Sequence, residues 1–170
     1  MIDLSAKLPD SLTVGECQYK VLTDFRAWLR IADIVDGEHA LIETSFIFED
    51  DPPLQDWTVQ MMEFLACPEV TPHGAGGEQL FDWLKDGSYI LGSFQQAYGI
   101  DLLEAHMHWH RFLALFRSLP DDSKIMKIVG HRGWKKSNKK HDSVQGELRR
   151  MWTLPNDIDQ DAIERGVFGG

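Results

Sequence analysis

The residues best placed by type and spacing to do chemistry are three histidines at alternate positions, His106, His108 and His110. On a helix, positions 106 and 110 share one face and 108 points away. Two His at i, i+4 can hold zinc, but the zinc-protease pattern needs a Glu directly after the first His and a third ligand. Met107 stands where that Glu belongs. The spacing points to histidines packed on a helix rather than to a metal centre, and no metal or cofactor is assigned.

The other chemistry-bearing patterns fall short in their own ways. Glu49-Asp50-Asp51 lacks the spaced ligands and central Gly of an EF-hand. Gly74-Ala75-Gly76-Gly77 has no Lys-Ser/Thr pair after it and no strand before it, so it is not a phosphate loop. No Gly-x-Ser-x-Gly elbow, Cys–His pairing signal or dinucleotide glycine fingerprint occurs. Cys17 and Cys67 make no metal pattern and read as reduced thiols of a cytosolic protein. No catalytic residue is assigned, and the enzyme alternative is a small hydrolase or nuclease without a sequence-visible site.

Charge is the stronger signal. The net charge is −10, yet from Lys124 to Arg150 nine Lys or Arg stand against Asp142 and Glu147, a local +7 that leaves −17 on the rest. The densest part of that stretch, Lys135, Lys136, Lys139 and Lys140, is the candidate partner-binding site. A merely solvated basic helix on an acidic protein fits the same charges. A pI of about 5.0 argues against nucleic acid, because the remaining surface would repel phosphates. An acidic protein partner, or the acidic face of a second copy, fits better. No apolar run approaches a membrane span and the N-terminus lacks the apolar core of a signal peptide, so no membrane partner is expected.

The elements that carry these residues read as mainly helical. A composition of 43% hydrophobic and 26% charged residues is ordinary for a globular protein. One compact multi-helix domain over residues 1–155 is expected, burying about 70% of its unfolded surface. Leu12 to Leu22 predicts a small N-terminal β-hairpin turning at Val14-Gly15-Glu16. Thr23 is predicted to cap a helix to Val35, with Trp28 in the core and Asp24 and Arg26 toward solvent. His39 to Phe48 is helix or strand, with helix preferred.

Asp51, with Pro52 at the first helical position, predicts a helix bearing Leu54, Trp57, Met61, Phe64 and Leu65 on one face. Pro68 to Gly77 reads as a loop, and Leu80 to Leu84 as a short helix or turn. A helix over Tyr89 to Tyr98 is predicted to stop at Gly99 in a left-handed C′ position. Asp101 and Glu104 then read as a capping box for the most apolar helix, Leu102 to Leu119, with Trp109 inward. Residues 121–129 form the next helix, with Ile125, Ile128 and Val129 inward, closed by Gly130. A last helix carries Val144, Leu148, Met151 and Trp152, weakened by Gly146 by about 1 kcal/mol relative to Ala. Residues 156–170 are expected to be a flexible acidic tail.

Several blocks carry a family resemblance: Tyr19 to Leu29, with Thr23-Asp24-Phe25-Arg26 followed by Trp28-Leu29; Phe94 to Leu102, with Tyr98-Gly99-Ile100-Asp101-Leu102; Trp109 to Pro120; Lys124 to Arg132; and Met151 to Pro155. Together they resemble the siphophage tail-cluster family called "bacteriophage gp fifteen". The similarity touches most of residues 12–155, and Glu38 to Gly77 departs in detail. Members are encoded just ahead of the tape-measure protein and are taken as tail-assembly chaperones. The resemblance therefore implies a non-catalytic chaperone in the host cell cytoplasm, binding the tape-measure or another tail protein during tail morphogenesis, with self-association open. The alternative is a structural tail or connector component retained in the virion. The family has no catalytic residues to carry over.

Overall fold

A computed structural model describes residues 5–35, 42–67, 80–135 and 142–154. As expected, these residues are mainly α-helical with a small antiparallel hairpin near the N-terminus. Strand β1, Ser11–Val14, pairs with β2, Cys17–Lys20, with Leu12 opposite Tyr19 and Val14 opposite Cys17. Leu12 and Val14 are buried and Thr13 between them is exposed, the period of two that a half-buried strand requires. Gly15 turns the hairpin at φ +63, and a Cβ there would meet Gln55 Oε1 at 2.8 Å. The backbone angle is what favours glycine, since the end of the flexible Gln55 side chain can swing aside.

Helix α1, Phe25–Val35, buries Phe25, Trp28, Ile31 and Ala32 along one stripe. Its cap is Asp24, not Thr23: the Asp24 carboxylate accepts the Arg26 N–H at 3.0 Å. Thr23 is held outside the helix because its carbonyl accepts the Trp109 N–H at 2.8 Å. Ile42–Ile47 forms a 3-10 helix, and Val21 bridges to Phe48 just beyond it.

Helix α2, Thr58–Ala66, starts well after the predicted Asp51 cap. Pro53 keeps Pro52 out of the helical region, since the residue before a proline is pushed toward extended backbone. Asp56 supplies the start instead, accepting the Thr58 N–H at 2.9 Å and the Thr58 hydroxyl at 2.7 Å. Met61 and Phe64 face the core, whereas Leu54 lies before the helix and is fully exposed. Residues 83–86 form turns rather than a helix.

Helix α3, Gly87–Tyr98, ends as predicted at Gly99, with φ +68 and its N–H on Gln95 O at 3.0 Å. The long helix predicted over Leu102 to Leu119 is broken. Asp101 does act as a cap, accepting the Leu103 N–H at 2.9 Å, but it starts only a single turn. The chain then opens so that Met107 O accepts the Phe25 N–H at 3.0 Å and the Trp109 N–H reaches Thr23 O, an antiparallel bridge of Asp24 with His108. Tertiary pairing with the start of α1 overrides local helical preference. Helix α4 is only Trp109–Arg117, and His108, extended at φ −62 and ψ 140, caps it by accepting the His110 N–H on its ring Nδ1 at 3.0 Å.

Helix α5, Lys124–Arg132, buries Ile125 and Ile128 and runs past Gly130, which faces open space and is tolerated inside the helix. Helix α6 is Asp142–Trp152. Its predicted apolar face is not inward throughout: Val144 and Met151 are exposed, while Leu148 and Trp152 are half-buried. Gly146 passes the Trp134 ring. The loop Pro68 to Gly77 and the tail 156–170 lie outside the described residues.

The chain divides into two compact units, Met1–Pro72 with Phe94–Leu119, and His73–Ser93 with Pro120–Gly170. The first has an aromatic core. Trp28 stacks on Phe64 with centroids 4.2 Å apart, and Phe112 stacks on Phe25 at 4.8 Å and on Phe94 at 5.2 Å. The second buries Ile90, Ile125, Ile128 and Leu154, and also an ion pair between Asp86 and Arg132.

Candidate functional site

The three histidines part company once α4 begins at Trp109. His106 precedes the helix, is exposed, and meets the Asp24 carboxylate at 3.2 Å. His108 is the cap. Because its Nδ1 accepts a backbone N–H, its neutral ring carries the proton on Nε2, which donates to Pro9 O at 2.7 Å. His110 is buried and its Nε2 donates to Phe64 O at 2.8 Å. Burial holds the His110 pKa below its ordinary value, with His108 and Arg117 pushing the same way and the Phe64 carbonyl opposing them. His106 and His110 thus do not share a helix face. Among the described residues no group of three or more His, Cys, Asp or Glu is gathered to hold a metal. Cys17, exposed, and Cys67, buried, form no disulfide.

Asp24 and Arg26 were expected only to face solvent, and Arg26 does more. Its guanidinium donates to Leu102 O at 3.1 Å and Leu103 O at 2.7 Å, closing the turn after Asp101 onto α1. Both side chains are about one-third exposed and line an open groove of about 450 Å³ with Leu22, Arg30, Phe46 and Glu49. Arg30 lies over the Phe46 ring at 4.3 Å. The groove has charges of both signs, and Arg26 is already committed to carbonyls.

Of the candidate partner-binding lysines, Lys135 is exposed at the end of the described stretch after α5, while Lys136, Lys139 and Lys140 lie outside the described residues. Elsewhere in the Lys124–Arg150 segment, Lys127 and Arg150 are exposed. Lys124 sits over the Trp152 ring at 4.3 Å, and Trp152 meets Tyr89 edge-on at 5.6 Å.

Two apolar stripes on this molecule are open to water. On α6, Val144, Leu148 and Met151 recur at i, i+4 and i+7, with Val144 56% and Met151 71% exposed. On α2, Val59, Met62 and Ala66 recur at i, i+3 and i+7, with Val59 63% and Met62 39% exposed. Hydrophobic residues scattered singly on a surface are ordinary, whereas these recur at helical spacing on one side of each helix. Periodicity marks such faces in the sequence and cannot say whether the partner belongs to the same chain. Among the described residues no helix is long and apolar enough to cross a membrane.

Residues 55–154, more than half of the chain and the span that holds α2 to α6, match the family described as Bacteriophage Gp15 protein. No curated protein and no solved structure matches the chain.

Proposed function

The chain belongs to the Bacteriophage Gp15 protein family, and from that membership we propose that it is a phage structural or assembly protein. Within that class we read it as a non-catalytic tail-assembly chaperone of a siphophage. It binds the tape-measure protein in the host cytoplasm before the tail tube polymerises. The family match is the observation that carries this reading, and the open stripes on α2 and α6 supply a physical means. A tape-measure protein is built of long amphipathic helices that aggregate unless their apolar faces are covered. An amphipathic helix is met by apolar side chains presented at matching helical spacing, with bordering charges setting orientation and on-rate.

Co-expression tests this reading directly. The tape-measure protein, made with and without this chain, is expected to be soluble and to co-purify with it only in the first case. Purified particles are expected to lack the chain. A chain that neither solubilises nor retains the tape-measure protein, and that stays with purified particles, would instead be a structural tail or connector component.

A further inference from the structure

Three carbonyls at the C-terminal end of α2 are taken by side chains of α4. Phe64 O accepts from His110 Nε2 at 2.8 Å, Leu65 O from the Trp109 indole at 2.9 Å, and Ala66 O from Arg117 Nη2 at 3.3 Å. The last carbonyls of a helix have no partner within it, so these donors hold that end of α2. Two of the three, Trp109 and His110, stand in the first turn of α4, and His108 caps that turn.

The cap works in one protonation state only. The His110 backbone N–H can only donate and Pro9 O can only accept, so the His108 ring fits between them with Nδ1 bare and Nε2 protonated. A second proton, on Nδ1, sets one donor against another and removes the cap. His110 differs, since its Nε2 donates to Phe64 O in either state, but a charge on it is buried beside the His108 ring, with centroids 5.0 Å apart. The surroundings supply no counter-charge. On α4, Arg111 is exposed and Arg117 is a cation. From α1 comes Asp24, already occupied by Arg26 and His106. From α2 come the Phe64 ring and an exposed Glu63, and from the N-terminal segment exposed Lys7 and Asp10. Among the described residues no carboxylate pairs with the ring of His108 or His110.

We propose that His108 is a proton-operated catch on α2. Neutral, it caps α4 and keeps Trp109 and His110 on the α2 carbonyls. Protonated, it lets the first turn of α4 fray and the end of α2 open. The bond exists only on the neutral ring, so its contribution is present above the ordinary histidine range, about pH 6.5, and is lost as pH falls through it. The opening is local, because the Trp109 N–H is also held by Thr23 O and Arg117 lies in the last turn of α4. Helix α2 presents Val59 and Met62 to water, so a partner seated there is held at neutral pH and released in acid. This inference rests on the packing of α4 against α2 and not on the tail-assembly reading.

Amide hydrogen exchange of the full chain alone, followed by NMR at pH 7.5 and pH 5 and corrected for intrinsic rates, tests it without any partner. Protection at Leu65, Ala66 and His110 is expected to fall at least about fivefold in acid, the factor that loss of a helix cap brings, with a smaller change at Ile31 in α1. His108→Asn supplies a cap that does not titrate, and it should keep protection at both pH values; if Asn loosens α4 at neutral pH, Ser replaces it. Imidazole nitrogen shifts of the wild type at pH 7.5 should show His108 with Nδ1 bare and Nε2 protonated. Unchanged protection in the wild type overturns the proposal, and so does an equal loss at Ile31, which would mean global unfolding. A His108 ring protonated on Nδ1 at pH 7.5 overturns it too. So does a His108→Asn chain that opens in acid as the wild type does, since the response would then arise at another group.

Discussion

Asp86 and Arg132, 46 residues apart, form a buried fork: Nη1 donates to Oδ2 and Nη2 to Oδ1, the latter at 2.9 Å. Arg132 also donates to Leu80 O at 3.1 Å and to Trp152 O, and Asp86 Oδ2 accepts the Asp82 N–H at 2.9 Å. Asp86 is 2% exposed, so its charge depends on these partners rather than on water. The pair fastens the last turn of α5 to the segment before α3 and to the end of α6, which is a physical reason for α5 to run past Gly130.

Removing one member of a desolvated pair leaves the other uncompensated. Arg132→Met is expected to lower stability by about 3–5 kcal/mol. Asp86→Leu combined with Arg132→Met should cost less than the sum of the two single changes, because neither charge is then orphaned. Urea midpoints of the four proteins check this, and additive losses would show that the pair does not act as a unit.

Trp109 is 1% exposed, stacks against Phe112, and donates its indole N–H to Leu65 O at 2.9 Å. Trp109→Ala is expected to cost about 3–5 kcal/mol in a denaturant titration. Trp109→Phe keeps much of the volume but removes the indole donor to the Leu65 carbonyl, a loss of about 1–3 kcal/mol. Equal midpoints for wild type and Trp109→Ala would refute a core role.

Much of this was legible from residue type alone. Gly99 was assigned its left-handed angle, Gly15 its turn, and Trp28 and Trp109 their burial, because each rests on a local steric rule or on apolar spacing. What failed depends on long-range partners. The sequence Asp101 to Leu119 reads as one helix, and nothing local reveals that Met107 and Trp109 will bond to Phe25 and Thr23. Helix α2 was misplaced for a local reason that was available, the effect of Pro53 on Pro52. Of the candidate site, the +7 segment was visible as charge. The α2 stripe was missed because the predicted face took in only Leu54, Trp57, Met61, Phe64 and Leu65, leaving Val59 and Met62 unassigned.

His110 makes stability depend on pH with a definite sign. Its folded pKa lies below the ordinary 6.5 because the ring is buried, so the unfolded chain binds the proton more readily. Its contribution is fully present above pH about 6.5 and is lost as pH falls from there toward the folded value. Unfolding free energies at pH 5 and pH 7.5 are expected to differ less in His110→Gln than in wild type, since Gln can still donate to Phe64 O but does not titrate. An unchanged difference would place the acid sensitivity elsewhere.

Gly99→Ala isolates backbone strain, since a Cβ at this position meets nothing within 4 Å. With φ at +68, Ala is expected to cost about 1 kcal/mol, and Asn, which tolerates the left-handed region better, less than that. Thermal melts of the three proteins should rank Gly, Asn, Ala. Ala equal to Gly would mean that the chain leaves α3 by another angle.

The bond between Thr23 and Trp109 also fixes when part of the protein can fold on the ribosome. The unit built from Met1–Pro72 is completed only by Phe94–Leu119, whose Phe94, Trp109 and Phe112 form much of its aromatic core. At about 5–20 residues per second, the interval between synthesis of Phe25 and of its stacking partner Phe112 is roughly 4–17 s. Once Ala66 has been added, α1 and α2 have both been made, while the Phe94–Leu119 side chains that complete their core have not. The nascent chain must therefore be kept from misassembly before it reaches its own folded state, and slowing translation between residues 72 and 94 lengthens that exposure.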